Sequence, residues 1–130
     1  MGSRNFNTVL GVGGSLGVTL DELVVLASQV LSQGSCLRPD AIATLSTKRC
    51  EPVWTELAAH FECALCFFDA ERLEKETPRL KNPSEAVFRS VGCHGVAEAA
   101  ALAATGANGF LAVGKTVSGR ATAALAVARS

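Results

Sequence analysis

The sequence predicts an α/β fold, namely a single three-layer α/β/α domain over residues 1–130 with a mostly parallel or mixed sheet of about five strands. Short apolar runs alternate with longer segments whose apolar residues recur at helical spacing. Hydrophobic residues make up 48% of the 130 residues, which is enough for one core. No shift in composition divides the chain.

The first third of the chain predicts a strand, a glycine loop and a helix. Residues 8–12 (TVLGV) form an apolar run that ends in glycines, as a buried strand would. After the loop 13–17, Thr19 is placed to cap a helix and Glu22 completes a capping box. Gly34 is expected to end this helix.

The middle of the chain repeats this alternation. Residues 41–46 (AIATLS) alternate like a strand, and Glu51 followed by Pro52 opens a second helix. Residues 63–68 (CALCFF) form an apolar third strand, and a short charged helix over residues 70–76 follows it.

Residues 82–102 predict two short helices joined at residues 92–95. Asn82 is expected to cap the first helix, with Pro83 in its first position and Glu85 reaching back to the cap. The second helix is mostly alanine. Because alanine lets backbones approach closely, this helix is expected to pack tightly against a sheet or a neighbouring helix.

The end of the chain predicts two strands. Residues 109–113 (GFLAV) form the first, and residues 114–119 are expected to be a polar loop. The run 120–127 is rich in alanine, which favours helix, but its threonine and valine suit a short strand beside the previous one. Strand is the favoured interpretation.

Charge and hydropathy exclude several classes of protein. Twelve basic and twelve acidic residues cancel, so the chain has no electrostatic footprint for nucleic acid or an anionic membrane. No apolar run approaches the roughly 20 residues that a membrane span needs. A cytoplasmic protein is therefore predicted, with residues 1–5 as an added or disordered start.

Polar residues are concentrated where the predicted sheet would bind a ligand, beyond the carboxyl ends of its strands. Glycine-loop N–H groups, ammonium groups and hydroxyls suit a carboxylate or a phosphate. The predicted ligand-binding residues are Gly11, Gly13, Gly14, Ser15, Lys48, Glu51, Lys115, Thr116 and Ser118. A structural role stays open for each segment, as a tight turn, an ion pair or a solvated turn. The glycine loop does not complete the dinucleotide fingerprint G-x-G-x-x-G.

The candidate catalytic residues are His94, Glu98 and Lys48. His94 lies in a glycine-rich segment, where it could act as acid or base with Glu98 one turn further on. The alternative is a histidine that only caps or packs the loop. The sequence holds no nucleophile elbow and no evident carboxylate pair.

The five cysteines predict reduced thiols, because their number is odd and their spacing fits no disulfide framework. Cys63 and Cys66 match C-x-x-C, but residues three apart on a strand face opposite sides. Adding Cys93 and His94 gives a formal zinc set with no second metal motif. Buried thiols, no metal and no cofactor are therefore predicted.

The segment NPSEAVFRSVG, followed by VAEAAAL, resembles the signature of the CobE family of cobalamin biosynthesis, which is also the C-terminal domain of CbiG. The similarity covers nearly the whole chain in order. It includes LGVGGSLGVTLDEL, the K-x-x-E from Lys48 to Glu51, FFDAERL, Lys115 and the terminal ATAALAVAR.

The resemblance implies a three-layer α/β/α domain that acts in the corrin pathway. It implies as partners a precorrin or hydrogenobyrinic acid-type ligand, bound through its carboxylates, and other enzymes of that pathway. A domain like this accompanies, in CbiG, a hydrolase that opens the ring lactone of a precorrin, so lactone hydrolysis is the alternative function. A small anion- or nucleotide-binding module is the second alternative.

The chain departs from the family pattern in two places. The family's first loop is closer to G-x-G-C-R-x-G, and here Gly14 and Ser15 replace the cysteine and the arginine. If that arginine meets a ligand carboxylate, another cation must do so here, from among Lys48, Lys115 and Arg120. Residue 95 is glycine where serine is common, which weakens the cap of the following helix.

Overall fold

A five-stranded mixed sheet lies at the centre of the fold, in a computed structural model that describes residues 6–129. The prediction for residues 1–5 lies outside the described residues. The strands are β1 (Thr8–Gly14), β2 (Ala41–Leu45), β3 (Ala64–Phe68), β4 (Gly109–Ser118) and β5 (Ala121–Ala128). The α-helices are α1 (Leu20–Gln33), α2 (Pro52–Phe61), α3 (Ala70–Glu74), α4 (Glu85–Val91) and α5 (Ala97–Thr105). Two 3₁₀ turns lie at Ser46–Cys50 and Thr77–Arg79.

The strands lie in the order β3–β2–β1–β5–β4. β1, β2 and β3 are parallel, while β5 is antiparallel to both β1 and β4. β4 therefore runs in the same direction as the three parallel strands. Their carboxyl ends meet at one edge of the sheet, which is where a ligand site is expected in such folds.

Helices cover both faces of the sheet, as predicted. α1 and α2 pack on one face through Leu26, Val30, Trp54 and Leu57. α3 and α5 pack on the other face, against the small residues of β1, β2 and β5. This confirms the three-layer α/β/α prediction. Within residues 6–129, no helix is both long enough and apolar enough to span a bilayer.

α5 is buried along its whole length, from Ala97 to Thr105. It lies so close to β1 that a Cβ added to Gly11 would overlap the carbonyl oxygen of Ala97. The alanine-rich sequence therefore does bring two backbones together, as predicted.

The helix caps are partly as predicted. Thr19 and Glu22 form the predicted capping box of α1. The prediction for α4 is wrong by two residues, because Ser84 rather than Asn82 caps it and accepts a hydrogen bond from the N–H of Val87 at 3.2 Å. The Asn82 amide instead donates to the buried carboxylate of Glu98.

The predicted loop over residues 114–119 is mostly strand. β4 continues to Ser118, and the chain turns into β5 at Gly119, whose φ is +58°. Polar side chains are tolerated here because β4 is an edge strand with residues open to solvent. The favoured strand over residues 120–127 is confirmed as β5.

Side chains from outside the sheet occupy the free edge of β4. The carbonyl of Gly109 accepts from Arg79 at 2.9 Å, and that of Leu111 accepts from Lys81 at 3.2 Å. The N–H of Lys115 donates to Glu98 at 2.8 Å. Three backbone groups that a further strand would pair with are thus already bonded.

Candidate functional site

A crevice of about 410 Å³ opens at the carboxyl ends of β1 and β2. The glycine loop after β1 and the start of β5 form one side, and α4 forms the other. The N-terminus of α5 lies at its floor. Its lining residues are Gly13, Gly14, Ser15, Leu45, Lys48, Asn82, Ala86, Val87, Ser90, Val91, Gly95, Val96, Ala97, Glu98, Lys115 and Thr122.

Lys48 supports the glycine loop from within the crevice. Its ammonium donates to the carbonyl of Gly14 at 2.9 Å and lies 3.8 Å from the carboxylate of Glu51. It also lies 5.9 Å from the centre of the Trp54 ring, whose N–H donates to Glu51. Lys48 is thus a largely buried cation at the carboxyl-end edge of the sheet, held between Gly14 and Glu51.

Lys115 supplies the open positive charge of the crevice. Its backbone N–H is bonded to Glu98, whereas its side chain is exposed and makes no hydrogen bond or ion pair with any of the residues 6–129. An exposed ammonium on a flexible stem can reach a carboxylate without breaking an existing contact.

Glu98 is a buried anchor rather than an open acid or base. Its side chain accepts hydrogen bonds from the N–H groups of Lys81, Asn82 and Lys115 and from the Asn82 amide, at 2.8–3.0 Å. Glu98 is only 2% exposed, and these four hydrogen bonds occupy the acceptor sites of its carboxylate. Glu98 thereby joins the segment before α4 to α5 and β4.

The N-terminus of α5 has no side-chain cap. Val96 occupies the cap position, after Gly95, and among the described residues no side chain accepts a hydrogen bond from the N–H groups of the first turn. The first N–H groups of a helix have no partner within the helix, and together they carry partial positive charge. The helix lacks a side-chain cap, as expected, although Val96 rather than Gly95 occupies the cap position. Its first N–H groups lie next to the crevice, in the same turn as the Glu98 carboxylate.

His94 lies outside the crevice, on the far side of α4. Its Nδ1 is 2.9 Å from Glu74 and its Nε2 is 3.2 Å from Glu85. The ring stacks on Phe88 with 4.4 Å between centroids. The hydrogen bond with Glu74 raises the pKa of His94 above its ordinary value. His94 and Glu98 form no hydrogen bond with each other, so the predicted acid–base pair is not assembled in this structure.

The remaining predicted residues are divided between the crevice and other places. Gly13, Gly14 and Ser15 line it, together with Lys48 and Lys115. Gly11, Glu51, Thr116 and Ser118 do not line it. Gly11 faces α5, and Arg120 turns away to pair with Glu22 at 2.9 Å.

Sequence reasoning missed one whole side of the crevice. This side is formed by α4, through Ala86, Val87, Ser90 and Val91. It was missed because the alternation of strands and helices does not indicate which helix borders the crevice. The missed Thr122 is the second residue of β5, and a signal for it existed. An antiparallel last strand must start at the edge where the parallel strands end.

All five cysteines are free. The prediction that they are buried holds for Cys93 alone, because Cys50 is exposed and the other three are half-buried. Cys63 packs with the cluster of α1 and α2, and Cys66 packs with the cluster of α5, so their side chains diverge as predicted. Burial raises the pKa of both thiols and of the Cys93 thiol. Across residues 6–129, no three His, Cys, Asp or Glu side chains are grouped to hold a metal ion.

Known proteins resemble this chain over nearly its full length. The family described as Cobalamin synthesis G C-terminus matches residues 8–126. Protein CobE of Sinorhizobium sp is 43% identical over 120 residues, which are 91% of this chain and 78% of that protein.

Solved structures agree with this similarity. The crystal structure of CobE, a protein from the cobalamin (vitamin B12) biosynthetic pathway, has a TM-score of 0.83 and 32% identity, and the match covers 95% of this chain and 92% of that one. The cobalamin biosynthesis protein chiG from Agrobacterium tumefaciens str. C58 has a TM-score of 0.74 and 29% identity over 95% and 99% of the two chains. The chain therefore belongs to the CobE family of cobalamin biosynthesis proteins, the family of the CbiG C-terminal domain.

Proposed function

We propose that this protein binds a corrin-ring intermediate, of the precorrin or hydrogenobyrinic acid type, in the crevice between the glycine loop and α4. The observation that carries the proposal is the pairing of opposite surfaces across this crevice. Lys115, the N-terminus of α5 and the glycine loop provide positive charge and N–H groups on one side. Ala86, Val87 and Val91 of α4 provide an apolar surface on the other.

A corrin intermediate has matching chemistry. Its macrocycle is a broad apolar surface, and its edge carries acetate and propionate carboxylates. The ring would lie against α4, and a carboxylate would meet the Lys115 ammonium through a charge-assisted hydrogen bond. A second carboxylate would meet the uncapped end of α5. Lys48 already donates a hydrogen bond to the carbonyl of Gly14. We therefore assign it to fixing the shape of the glycine loop and to attracting carboxylates over a longer distance.

Binding without a chemical step is favoured over lactone hydrolysis by the placement of the candidate catalytic groups. Hydrolysis needs an acid and a base at one bond of the ligand. Glu98 is saturated by four hydrogen bonds, and His94 is held by Glu74 and Glu85 outside the crevice. We therefore propose that the protein carries an intermediate in the cytoplasm and passes it to another enzyme of the pathway.

Titration with hydrogenobyrinic acid tests this function through the absorbance of the corrin chromophore. We expect a dissociation constant of tens of micromolar or tighter, that is about −6 kcal/mol or better. Lys115→Ala should weaken binding about tenfold, because it removes one charge-assisted hydrogen bond. Lys75→Ala removes an exposed lysine outside the crevice and should bind like the wild type.

Three outcomes would count against the proposal. If the absorbance does not change at tens of micromolar ligand, the proposal is wrong. Equal losses of affinity in Lys115→Ala and Lys75→Ala would show that the ligand is attracted by surface charge in general and not by the crevice. A nucleotide that stabilises the fold against heat more than the corrinoid does would favour the anion-binding alternative. Incubation with a lactone-bearing precorrin separates binding from hydrolysis, since hydrolysis adds the mass of a water to the recovered ligand.

A further inference from the structure

α4 is the weakly anchored side of the crevice. None of its residues is buried, and Phe88 and Val91 are 41% and 37% exposed. It follows Pro83 and ends at Gly92, whose φ of +90° is a conformation that glycine adopts without strain. A helix with so little buried surface has a low free energy of local opening. The contacts that do hold it are therefore decisive for the shape of the crevice.

His94 supplies several of those contacts. Its carbonyl accepts from the N–H of Ser84 at 2.7 Å, at the start of α4. Its ring contacts Glu85 and stacks on Phe88, which lie on the same side of the helix three residues apart. Its backbone N–H and its Nδ1 both contact Glu74 of α3, at 2.9 Å. We call the contacts of the ring with Glu74, Glu85 and Phe88 the His94 clamp.

The clamp is fully made only by the protonated ring. The charged groups that face the imidazole are Glu74 from α3 and Glu85 from α4. Within residues 6–129 no lysine or arginine forms an ion pair with either carboxylate. An imidazolium donates from both nitrogens, whereas a neutral imidazole has only one N–H. Loss of the proton therefore leaves one carboxylate facing a nitrogen lone pair.

We propose that His94 is a positioning residue that fixes α4 as the side of the crevice, and that protonation of its ring holds α4 closed while deprotonation lets it open. The effect on ligand affinity rests on the function proposed above, but the effect on α4 does not. Glu85 and Phe88 face the clamp while Ala86, Val87 and Ser90 face the crevice. Releasing one side of this helix therefore loosens the other.

The direction of the pH dependence follows from the two partners. Glu74 raises the pKa of His94 through their hydrogen bond, and His94 in turn lowers the pKa of Glu74. A histidine whose pKa is raised on folding stabilises the fold fully below its ordinary pKa of 6.5, and this stabilisation is lost as pH rises through the raised pKa. The clamp is thus made in mildly acidic solution and released in alkaline solution.

Amide hydrogen exchange of α4 in the ligand-free protein tests the clamp. We expect the protection factors of residues 88–92, corrected for the intrinsic exchange rate, to fall about fivefold between about pH 6 and about pH 9. His94→Gln should show the lower protection at both pH values. His60→Gln, which replaces the other histidine of the chain on the exposed side of α2, should keep the wild-type contrast.

A wild-type protection factor that does not change with pH would overturn the clamp, as would a His94→Gln variant with wild-type protection. Glu85→Gln provides a second test, because it removes the charge on α4 and leaves Glu74 in place. In this variant, the protection factors of residues 88–92 should depend much less on pH than in the wild type.

Binding of hydrogenobyrinic acid at the same two pH values provides the ligand arm. Every other titrating group is shared by the wild type and His94→Gln, so the difference between these two proteins isolates the histidine. Affinity should fall about fivefold in the wild type and stay nearly constant in His94→Gln. If exchange responds to pH but no corrinoid binds, the corrinoid function fails and the clamp stands. If corrinoids bind but exchange does not respond, the clamp fails and the function stands.

Discussion

Gly11 sets the distance between α5 and the sheet. A side chain at this position of β1 would point at the backbone of α5, and the nearest atom, the Ala97 carbonyl oxygen, cannot rotate away as a flexible side chain would. Gly13 lies two residues further along the strand, yet a Cβ there would meet only the Val96 side chain at 3.5 Å. The two glycines therefore have different roles: the first is required by packing, and the second borders the crevice.

Gly11→Ala should destabilise the protein by about 3 kcal/mol, because α5 must shift away from the sheet to admit the methyl group. Gly13→Ala should change the free energy of unfolding by less than about 1 kcal/mol. Urea unfolding followed by circular dichroism measures both. Equal stability of the two variants would contradict the close approach of α5.

The sequence predicts this close approach from the alanines of α5, but it assigns Gly11 to the ligand. The reason is local. A glycine in an apolar strand looks the same whether it faces a neighbouring helix or a crevice. Gly11 and Gly13 lie on the same face of β1, and only the position of α5 along that face separates their roles. Lys48 and Lys115 both line the crevice. Lys48 follows β2, and Lys115 lies in the second half of β4, which runs in the same direction, so the topology brings both to one edge of the sheet.

At the scale of elements, α5 depends on an ion pair that comes from outside it. Glu76 is 6% exposed and accepts from Arg79 at 2.6 Å. The same guanidinium donates to the carbonyls of Gly106 and Leu102 at the end of α5, at 3.2 and 3.4 Å. A cation near unpaired helix carbonyls stabilises a C-terminus.

Arg79→Ala should cost about 3 kcal/mol of stability, because it leaves the buried Glu76 carboxylate without its main partner. Arg72→Ala is the matched control, since Arg72 makes a single hydrogen bond to the same carboxylate and none to α5. It should cost less than about 1 kcal/mol. Thermal unfolding of the two variants compares them, and an Arg79 variant as stable as the Arg72 variant would contradict the role of the buried pair.

The sequence predicts an element correctly where neighbouring residues mark its ends. It fails where a residue far along the chain determines where the element begins or ends. The capping box of α1 is complete within four consecutive residues, and it was predicted correctly. Asn82 looked like a cap for α4 because it precedes a proline, yet a buried carboxylate 16 residues away takes its side chain. β4 was predicted to be too short because its polar second half is paired with β5, and that pairing is not encoded in its own hydropathy.

At the scale of the whole molecule, Glu22 connects the first helix to the last hairpin. Its carboxylate caps α1 through Thr19 and pairs with Arg120, 98 residues later in the chain. These contacts lower the pKa of Glu22 from its ordinary value of 4.5 to about 2, with the Thr19 backbone hydrogen bond as the largest cause. A carboxylate with a lowered pKa stabilises the fold above its ordinary pKa, and that stabilisation is lost as pH falls through the lowered pKa.

Glu22→Gln should therefore reduce stability at neutral pH and flatten the loss of stability between about pH 4.5 and about pH 2. Glu56→Gln removes an exposed carboxylate that has no ion pair among residues 6–129, and it should keep the wild-type slope. Urea unfolding over this pH range measures the slope, and parallel curves for the wild type and Glu22→Gln would contradict the link.

The bonded edge of β4 has a consequence for how the protein behaves at high concentration. Exposed edge strands recruit strands from other molecules, and this is a common first step in aggregation. Here Arg79, Lys81 and Glu98 already hold the backbone groups that an incoming chain would use. Intermolecular sheet growth from this side must first break those bonds. The contacts that shape the crevice at Glu98 therefore also hinder the addition of a foreign strand at the β4 edge.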